Sequence, residues 1–266
     1  MSAAVGVVGA GGWGSALALM LARQGKRVVL WVRDAARASR LARSRINDPY
    51  LPGHALPELV EVTADLKTVA EPRHLILAVP SQALRSVWER MMPWVRPDHS
   101  VVNAAKGIEI ATGRRLSEVL LESGGLDRSR LAVLSGPNHA EEVAQGLPTT
   151  TVVASHDPRT AAEWQELLMA PMFRVYTSDD VIGVELGGAL KNVIALACGI
   201  ADGLGFGDNT KAAIITRGLA EIARLGIALG ARPITFSGLS GVGDLVATCY
   251  SAHSRNSRAG RRIGQG

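Results

Sequence analysis

Residues 4–25 read AVGVVGAGGWGSALALMLARQG and contain an apolar run, a glycine-rich segment and a second apolar run. The apolar run Ala4 to Val8 predicts a strand, and Ser15 to Arg23 predicts a helix closed by Gly25. Between them stands Gly9-Ala10-Gly11-Gly12-Trp13-Gly14, a G-x-G-x-x-G pattern. Its first glycine permits a turn, its second lets the backbone approach a pyrophosphate, and its third allows close helix–strand packing. The strand–turn–helix context favours a dinucleotide-binding site over a purely structural turn.

Further apolar runs alternate with helical stretches in the first two-thirds of the chain. They predict strands at Val28–Val32, His74–Val79, Val101–Ala105, Leu131–Leu134 and Thr150–Ala154. Uninterrupted Val, Ile and Leu strands separated by helices are typical of a parallel sheet covered on both faces. The predicted fold class is therefore α/β, with a Rossmann-type doubly wound sheet over residues 1–178 that forms the dinucleotide-binding domain.

The pattern becomes almost wholly helical after residue 178. We expect a buried helix over Gly183–Ala201 and a second one over Lys211–Leu229, with Thr210 as its N-cap. Residues 179–266 are thus predicted to form an all-helical substrate domain.

The composition and the placement of charge limit the class of protein. The 266 residues are 47% hydrophobic and 20% charged, which excludes a disordered chain. The net charge of +5 comes mainly from four arginines at the end of the sequence, Arg255, Arg258, Arg261 and Arg262. Because the rest of the chain is nearly neutral and aromatic residues make up only 4%, we expect no nucleic-acid partner.

The cysteines and the apolar stretches bear on the compartment. Cys198 and Cys249 have no metal-ligand spacing and cannot build a disulfide framework, so we expect a reducing, cytoplasmic location and no metal. Glycines interrupt the apolar N-terminus, and Asp202 interrupts the stretch Val193 to Phe206. We therefore expect neither a targeting segment nor stable membrane insertion.

The end of the second predicted strand bears on cofactor choice. An NAD site places an acid there for the ribose hydroxyls, but this chain has Trp31-Val32-Arg33-Asp34. Arg33 suits a 2′-phosphate, and a plain surface arginine is the alternative. Asp34 either caps the following helix or contacts the ribose. We expect NADP(H) to be preferred, with NAD(H) as the alternative cofactor.

Lysine is rare in this chain: five lysines stand among 29 basic residues. A desolvated lysine can release a proton at working pH, whereas arginine cannot. Lys106 ends a strand at the carboxyl edge, where open α/β sheets bind ligands. Lys191 lies in the predicted buried helix, where small residues leave room for a ligand. Judged by residue spacing on the helix alone, a buried ion pair of Lys191 with Asp202 or Glu185 is an equally good interpretation.

Two polar motifs follow towards the end of the chain. Asp244 stands in a glycine-rich turn and either caps a helix or partners a cationic group. Ser254-Arg255-Asn256 combines a guanidinium with hydroxyl and amide groups that suit a phosphate, although a solvated tail is the more economical interpretation.

These motifs together resemble bacterial NAD(P)-dependent sn-glycerol-3-phosphate dehydrogenase. The resemblance runs in order from residue 4 to residue 266 and rests on Gly9 to Ala18, Leu75 to Ser81, Lys106-Gly107, Ser135-Gly136-Pro137, Gly187 to Asn192, Gly203 to Lys211, Thr216-Arg217-Gly218, Gly243-Asp244-Leu245 and Ser254-Arg255-Asn256. It implies reversible hydride transfer between NAD(P)H and dihydroxyacetone phosphate, giving glycerol 3-phosphate for phospholipid synthesis. The resemblance is also compatible with assembly as a homodimer.

The resemblance also implies roles for individual residues. Lys191 is expected to be the catalytic proton acceptor in oxidation and donor in reduction. The expected cofactor-binding residues are Gly9, Gly11, Gly12, Trp13, Gly14, Arg33, Tyr50, Lys106, Ala140 and Arg255. The expected substrate-binding residues are Lys106, Gly136, Asn138, Lys191, Asp244, Ser254, Arg255 and Asn256.

The chain departs from the family pattern at several points. Asn138 stands where a serine or threonine is expected, Gly12 where a hydroxyl is usual, and Glu141 where a basic residue is expected. Family members continue past Gly264-Gln265-Gly266, so we expect the chain to lack the C-terminal part and the helical domain to be incomplete. Two rival functions are another β-hydroxyacid-type dehydrogenase and a dinucleotide-binding fragment without catalysis.

Overall fold

An eight-stranded sheet dominates the first two-thirds of the chain in a computed structural model that describes residues 4–266. The strands are β1 (Val5–Val8), β2 (Val28–Trp31), β3 (Ile46–Asn47), β4 (Leu51–Ala55), β5 (Val60–Thr63), β6 (His74–Leu77), β7 (Ser100–Asn103), β8 (Leu131–Ser135), β9 (Thr149–Ser155) and β10 (Phe173–Ser178). The strand order is β10-β9-β8-β7-β6-β1-β2-β5, and β3 and β4 form a separate hairpin.

The helices cover both faces of the sheet and then form the last third of the chain. They are α1 (Gly12–Arg23), α2 (Ala35–Ser44), α3 (Leu66–Val69), α4 (Leu84–Met91), α5 (Leu116–Ser123), α6 (Ala140–Gln145), α7 (Pro158–Leu168), α8 (Val181–Gly203), α9 (Asp208–Ala228), α10 (Pro233–Phe236), α11 (Asp244–Tyr250) and α12 (Arg255–Gly264).

Side chains on the central strands alternate between two cores. On β6, Ile76 joins the core beneath α1, whereas Leu75 and Leu77 join the core beneath α4 and α5. Because both faces are covered, β1, β2, β6 and β7 are buried along their whole length. The predicted α/β class with a doubly wound sheet and a helical C-terminal region is confirmed.

The expectation of a wholly parallel sheet was wrong at one edge. In the sheet, the neighbouring strands β5, β2, β1, β6, β7 and β8 all run parallel. Strand β9 pairs antiparallel with β8, and β10 runs parallel to β9. The link from β8 to β9 contains only the short helix α6, which does not carry the chain back to the starting edge. A strand buried on both faces has the same apolar pattern in either direction, so the sequence did not reveal the reversal.

The glycine-rich turn lies where the strand order of the sheet reverses. Strand β1 pairs with β2 on one side and with β6 on the other, so the strand order reverses at β1. In open α/β sheets, ligands bind outside the carboxyl ends of the strands at such a point.

The helical region begins at Val181, three residues after Ser178, where β10 ends. Asp180 caps α8 by accepting a hydrogen bond from the backbone N–H of Gly183 at 2.9 Å. The expectation that Thr210 caps the next helix was wrong: α9 begins at Asp208 after the extended Gly207. A carboxylate is favourable at a helix N-terminus, which explains the earlier start.

Close packing of α8 on α12 depends on glycines from both helices. A Cβ on Gly199 or Gly203 of α8 would overlap the backbone of α12, and one on Gly260 would overlap the backbone of α8. The small residues bring α12 and the segment that precedes it against the buried helix.

Helix α8 is also the one helix in the described part of the chain that is long and apolar enough to span a membrane. Over its most apolar stretch, 56% of the residues are buried inside the fold, as expected for a core helix. Cys198 of α8 and Cys249 of α11 are buried free thiols in the same apolar cluster.

Candidate active site

The glycine-rich turn after β1 has the shape that the fingerprint predicts. Gly9 has a φ of +117°, which favours glycine, and a Cβ on Gly14 would overlap the carbonyl oxygen of Gly9. A Cβ on Gly11, in contrast, would meet no atom within 4 Å. Helix α1 begins at Gly12 with no side-chain cap and no acidic residue in its first turn. The turn is therefore an open cradle whose backbone N–H groups fit a pyrophosphate.

Three of the predicted cofactor residues meet at this turn. A Cβ built on Gly12 would lie 2.9 Å from the carbonyl oxygen of Tyr50 and 3.6 Å from the Cβ of Ala140. The indole Nε1 of the neighbouring Trp13 is buried and has no hydrogen-bond partner among residues 4–266. The tight approach to Tyr50 explains why glycine suits position 12 of this chain.

The structure distinguishes between the two interpretations of Asp34, which follows β2. Its carboxylate accepts a hydrogen bond from the backbone N–H of Arg37 at 2.7 Å and so caps α2. Arg33 is exposed and makes no salt bridge within the part of the chain described. The guanidinium of Arg33 is therefore open to a ligand at the carboxyl edge of the sheet.

Lys191 is buried in α8 and has partners other than those its own helix offered. Its ammonium pairs with Oδ1 of Asp244 and donates to Oγ1 of Thr248 at 2.7 Å. Lys191 is 6% exposed and Asp244 is 2% exposed. Of the two interpretations of Asp244, the structure shows the partner of a cationic group.

The alternative ion pairs of Lys191 were wrong because both acids are engaged elsewhere. Asp202 pairs with Lys211 at 2.7 Å. Glu185 accepts hydrogen bonds from the backbone N–H of Ser117 at 2.8 Å and from its Oγ at 2.6 Å.

Lys106 reaches the same aspartate from the loop after β7. Its Nζ donates to Oδ2 of Asp244 at 2.7 Å, to the carbonyl oxygen of Gly136 at 2.9 Å and to Oδ1 of Asn138 at 3.0 Å. The amide of Asn138 in turn donates to Oγ1 of Thr151 at 3.0 Å. Asp244 thus bridges two ammonium groups from different elements, and the three side chains together carry one net positive charge.

This environment makes the Lys191 ammonium easier to deprotonate. Burial, and after it the nearby charge of Lys106, lower the pKa of Lys191 from 10.5 to about 8, while Asp244 acts in the opposite direction and limits the fall. A group that titrates near neutral pH can donate and accept a proton during a reaction.

The Ser254-Arg255-Asn256 motif lies where α12 begins. Ser254 is buried and caps the helix by accepting from the backbone N–H of Ser257 at 3.2 Å. Arg255 is exposed and lines a surface cavity with Arg258 and Arg262. Within residues 4–266, no hydrogen bond joins this motif to Lys191 or Lys106. The structure places the motif at the start of a helix packed against α8, with Ser254 engaged as the cap and the Arg255 guanidinium exposed.

Family models match nearly the whole chain. The N-terminal model of NAD-dependent glycerol-3-phosphate dehydrogenase matches residues 4–161, and the C-terminal model matches residues 180–266. The chain belongs to this family. It is 55% identical to a glycerol-3-phosphate dehydrogenase [NAD(P)+] of Moorella thermoacetica, with 100% of this chain and 79% of the relative covered. A relative of the same name in Pelotomaculum thermopropionicum is 54% identical and 77% covered.

Solved structures of glycerol-3-phosphate dehydrogenases show the same architecture. The enzyme from Coxiella burnetii superposes with a TM-score of 0.95 at 40% identity, over 100% of this chain and 81% of that one. The enzyme from Saccharomyces cerevisiae gives a TM-score of 0.85 at 30% identity, over 100% and 82%.

Sequence reasoning missed two polar residues of this glycerol-3-phosphate dehydrogenase family member. Thr248 lies four residues after Asp244 and so on the same helix face, a signal that was available. Arg37 donates a hydrogen bond to the carbonyl oxygen of Ala10 in the glycine-rich turn. The two residues are far apart in the sequence, so no local pattern indicated this contact.

Proposed function

We propose that the chain catalyses the reversible reduction of dihydroxyacetone phosphate to sn-glycerol 3-phosphate with NAD(P)H. The observation that carries this proposal is the buried Lys191 ammonium, which is paired with Asp244 beside Lys106 in a member of the glycerol-3-phosphate dehydrogenase family. The role of the enzyme would be to supply glycerol 3-phosphate for phospholipid synthesis.

Lys191 is proposed as the group that moves the proton. A bound nicotinamide supplies the hydride in reduction and takes it back in oxidation. Of the three N–H groups of the Lys191 ammonium, one is given to Asp244 and one to Thr248, which leaves one for a substrate oxygen. That N–H can stabilise negative charge on the carbonyl oxygen and then donate its proton to it.

The remaining polar groups are proposed to hold the substrate. Because Lys106 already uses all three N–H groups, a direct contact with substrate requires it to release one of its partners, Gly136, Asn138 or Asp244. Ser254, Arg255 and Asn256 would then hold the phosphate. The net positive charge of the lysine–aspartate cluster favours an anionic substrate over a neutral one.

The glycine-rich turn is proposed to hold the cofactor pyrophosphate, with Gly9, Gly11, Gly12, Trp13, Gly14, Tyr50 and Ala140 lining the dinucleotide and Lys106 and Arg255 near its reactive end. The use of Asp34 as a helix cap and the open guanidinium of Arg33 support a preference for NADP(H) over NAD(H). We further propose that residues 1–178 bind the cofactor and that residues 179–266 bind the substrate. The enzyme is proposed to be cytoplasmic and not inserted in a membrane, and a homodimer is one assembly that it could form.

A substrate-by-cofactor matrix tests the proposal. The purified chain is mixed with NADPH or NADH and with dihydroxyacetone phosphate or a non-phosphorylated β-keto acid, and absorbance at the nicotinamide band is followed. We expect turnover with dihydroxyacetone phosphate, faster with NADPH. Turnover of the keto acid alone would favour another β-hydroxyacid-type dehydrogenase, and NADPH binding without any turnover would favour a non-catalytic dinucleotide-binding fragment.

A further inference from the structure

Arg37, in the first turn of α2, is held against the glycine-rich turn by three contacts. Its Nη2 donates to the carbonyl oxygen of Ala10 at 2.6 Å and to Oδ1 of Asn47 at 2.9 Å. Its guanidinium carbon lies 4.2 Å from the centre of the Tyr50 ring. These contacts orient the half-buried side chain without a ligand.

The contacts around Ala10 form a small network that orients this guanidinium. The Nδ2 of Asn47 donates to the same Ala10 carbonyl at 3.1 Å and to Oγ of Ser15 at 2.7 Å. Asn47 is 2% exposed and therefore an anchored partner for Arg37. The network ties α2 and the β3 strand to the fingerprint turn.

The positive charge of Arg37 has no carboxylate partner in the part of the chain that the structure describes. None of the salt bridges within residues 4–266 includes it, and its Nε and Nη1 have no hydrogen-bond partner in that part of the chain. Asp34, close in sequence, uses one carboxylate oxygen to accept the backbone N–H of Arg37. Arg37 thus offers three oriented N–H groups and a half-buried charge to an anion.

We propose that Arg37 is a specificity-determining residue that binds the 2′-phosphate of NADP(H), an inference that rests on the proposed function. The end of β2 at Trp31, six residues before Arg37, is where a dinucleotide fold holds the adenosine ribose. The pyrophosphate belongs at the N-terminus of α1, whose backbone N–H groups face it.

Arg37 is proposed to contribute more than Arg33. Arg33 is exposed and makes no side-chain hydrogen bond within the described residues, so a ligand must order its long side chain. Arg37 is already ordered by Ala10, Asn47 and Tyr50, and a preorganised group loses less entropy on binding.

The test measures nucleotide binding without turnover. Isothermal titration with 2′,5′-ADP and with 5′-ADP is carried out on the parent chain and on Arg37→Ala, Arg33→Ala and Arg40→Ala. We expect Arg37→Ala to weaken 2′,5′-ADP binding by about tenfold or more and to change 5′-ADP binding by less than about threefold, because a charge-assisted hydrogen bond is lost only with the phosphate. Arg33→Ala is expected to have the smaller effect. Arg40→Ala, an exposed arginine on the same helix, is the matched control and should leave both affinities unchanged.

Other outcomes would overturn the proposal. Equal losses for both nucleotides would mean that Arg37 acts only by shaping the turn, and unchanged affinities would mean that it does not contact the phosphate. Arg37→Lys keeps the charge without the fork and should retain part of the discrimination if Arg37→Ala fails to fold. The titrations contain no substrate, so they measure nucleotide binding independently of turnover. A failure to reduce dihydroxyacetone phosphate would refute the proposed function, but the role of Arg37 in binding the 2′-phosphate could still be decided from the titrations.

Discussion

Asp244 and Lys191 form a buried ion pair between α11 and α8, although they are 53 residues apart in the chain. The second carboxylate oxygen of Asp244 accepts from Lys106, so one aspartate positions two ammonium groups. Burial and the charge of Lys106 lower the pKa of Lys191 to about 8, and the aspartate limits that fall. The pair therefore sets the pH range over which Lys191 can exchange a proton.

The two reaction directions should respond oppositely to pH. Reduction needs the protonated ammonium of Lys191, so its kcat/KM is expected to be constant well below pH 8 and to fall as the pH rises through about 8. Oxidation needs the neutral amine, so its kcat/KM should rise through the same pH. Initial rates at substrate concentrations well below KM in each direction check this. A transition near pH 10.5 in either direction would contradict the lowered pKa.

Replacing Asp244 should move that transition. Asp244→Asn removes the one charge that raises the pKa of Lys191, so the midpoint of the pH profile is expected to fall by about one unit or more while kcat decreases. Asp202→Asn is the matched control, because Asp202 pairs with Lys211 and not with Lys191. If both variants kept the parent midpoint, the electrostatic role given to Asp244 would be wrong.

Two glycines of the fingerprint should separate folding from cofactor binding. Gly14→Ala would overlap the carbonyl oxygen of Gly9, and we expect it to lower the free energy of unfolding by about 2 kcal/mol. Gly11→Ala meets no protein atom within 4 Å and should keep its stability within about 0.5 kcal/mol, yet it fills the cradle and should raise the Kd for NADPH. Urea unfolding and fluorescence titration measure the two effects. Unchanged NADPH affinity in Gly11→Ala would show that the cradle lies elsewhere.

The buried carboxylate of Glu185 should stabilise the contact between α8 and α5. It accepts from the backbone N–H and the Oγ of Ser117, and from Nη1 of Arg115 at 3.1 Å. Glu185→Ala leaves these donors without their acceptor, so we expect a loss of about 3 kcal/mol in urea unfolding. Glu221→Ala, which breaks exposed ion pairs with Arg217 and Arg224, should cost less than about 1 kcal/mol. Equal losses in the free energy of unfolding for Glu185→Ala and Glu221→Ala would contradict the larger contribution assigned to the buried carboxylate.

Local patterns predicted the sheet-containing part of the molecule well. The glycine-rich turn and the apolar strands each depend on residues close in sequence, and such patterns survive without tertiary information. The cap at Asp34 was one of two interpretations that the sequence left open. The short strand β5 and the edge strand β10 were missed, the latter because its exposed face carries Arg174 and Tyr176 and breaks the apolar run.

Long-range pairing could not be predicted in the same way. Helix spacing offered Asp202 and Glu185 to Lys191, but each is satisfied by a residue from another element. The actual partner, Asp244, comes from α11, and only the packing of α11 on α8 brings it there. The reversed direction of β9 was hidden for a related reason, since its pairing depends on the path of the intervening chain.

Activity of Lys191→Ala tests directly whether Lys191 moves the proton. The variant is compared with the parent chain and with Lys211→Ala, which removes another buried lysine that pairs with an aspartate but lies outside the proposed site. NADPH oxidation is followed after addition of dihydroxyacetone phosphate, with folding checked by circular dichroism. We expect Lys191→Ala to lose about 10²- to 10⁴-fold in kcat and Lys211→Ala to keep its activity per folded molecule. Retention of kcat within about twofold in a folded Lys191→Ala would contradict the proposed mechanism.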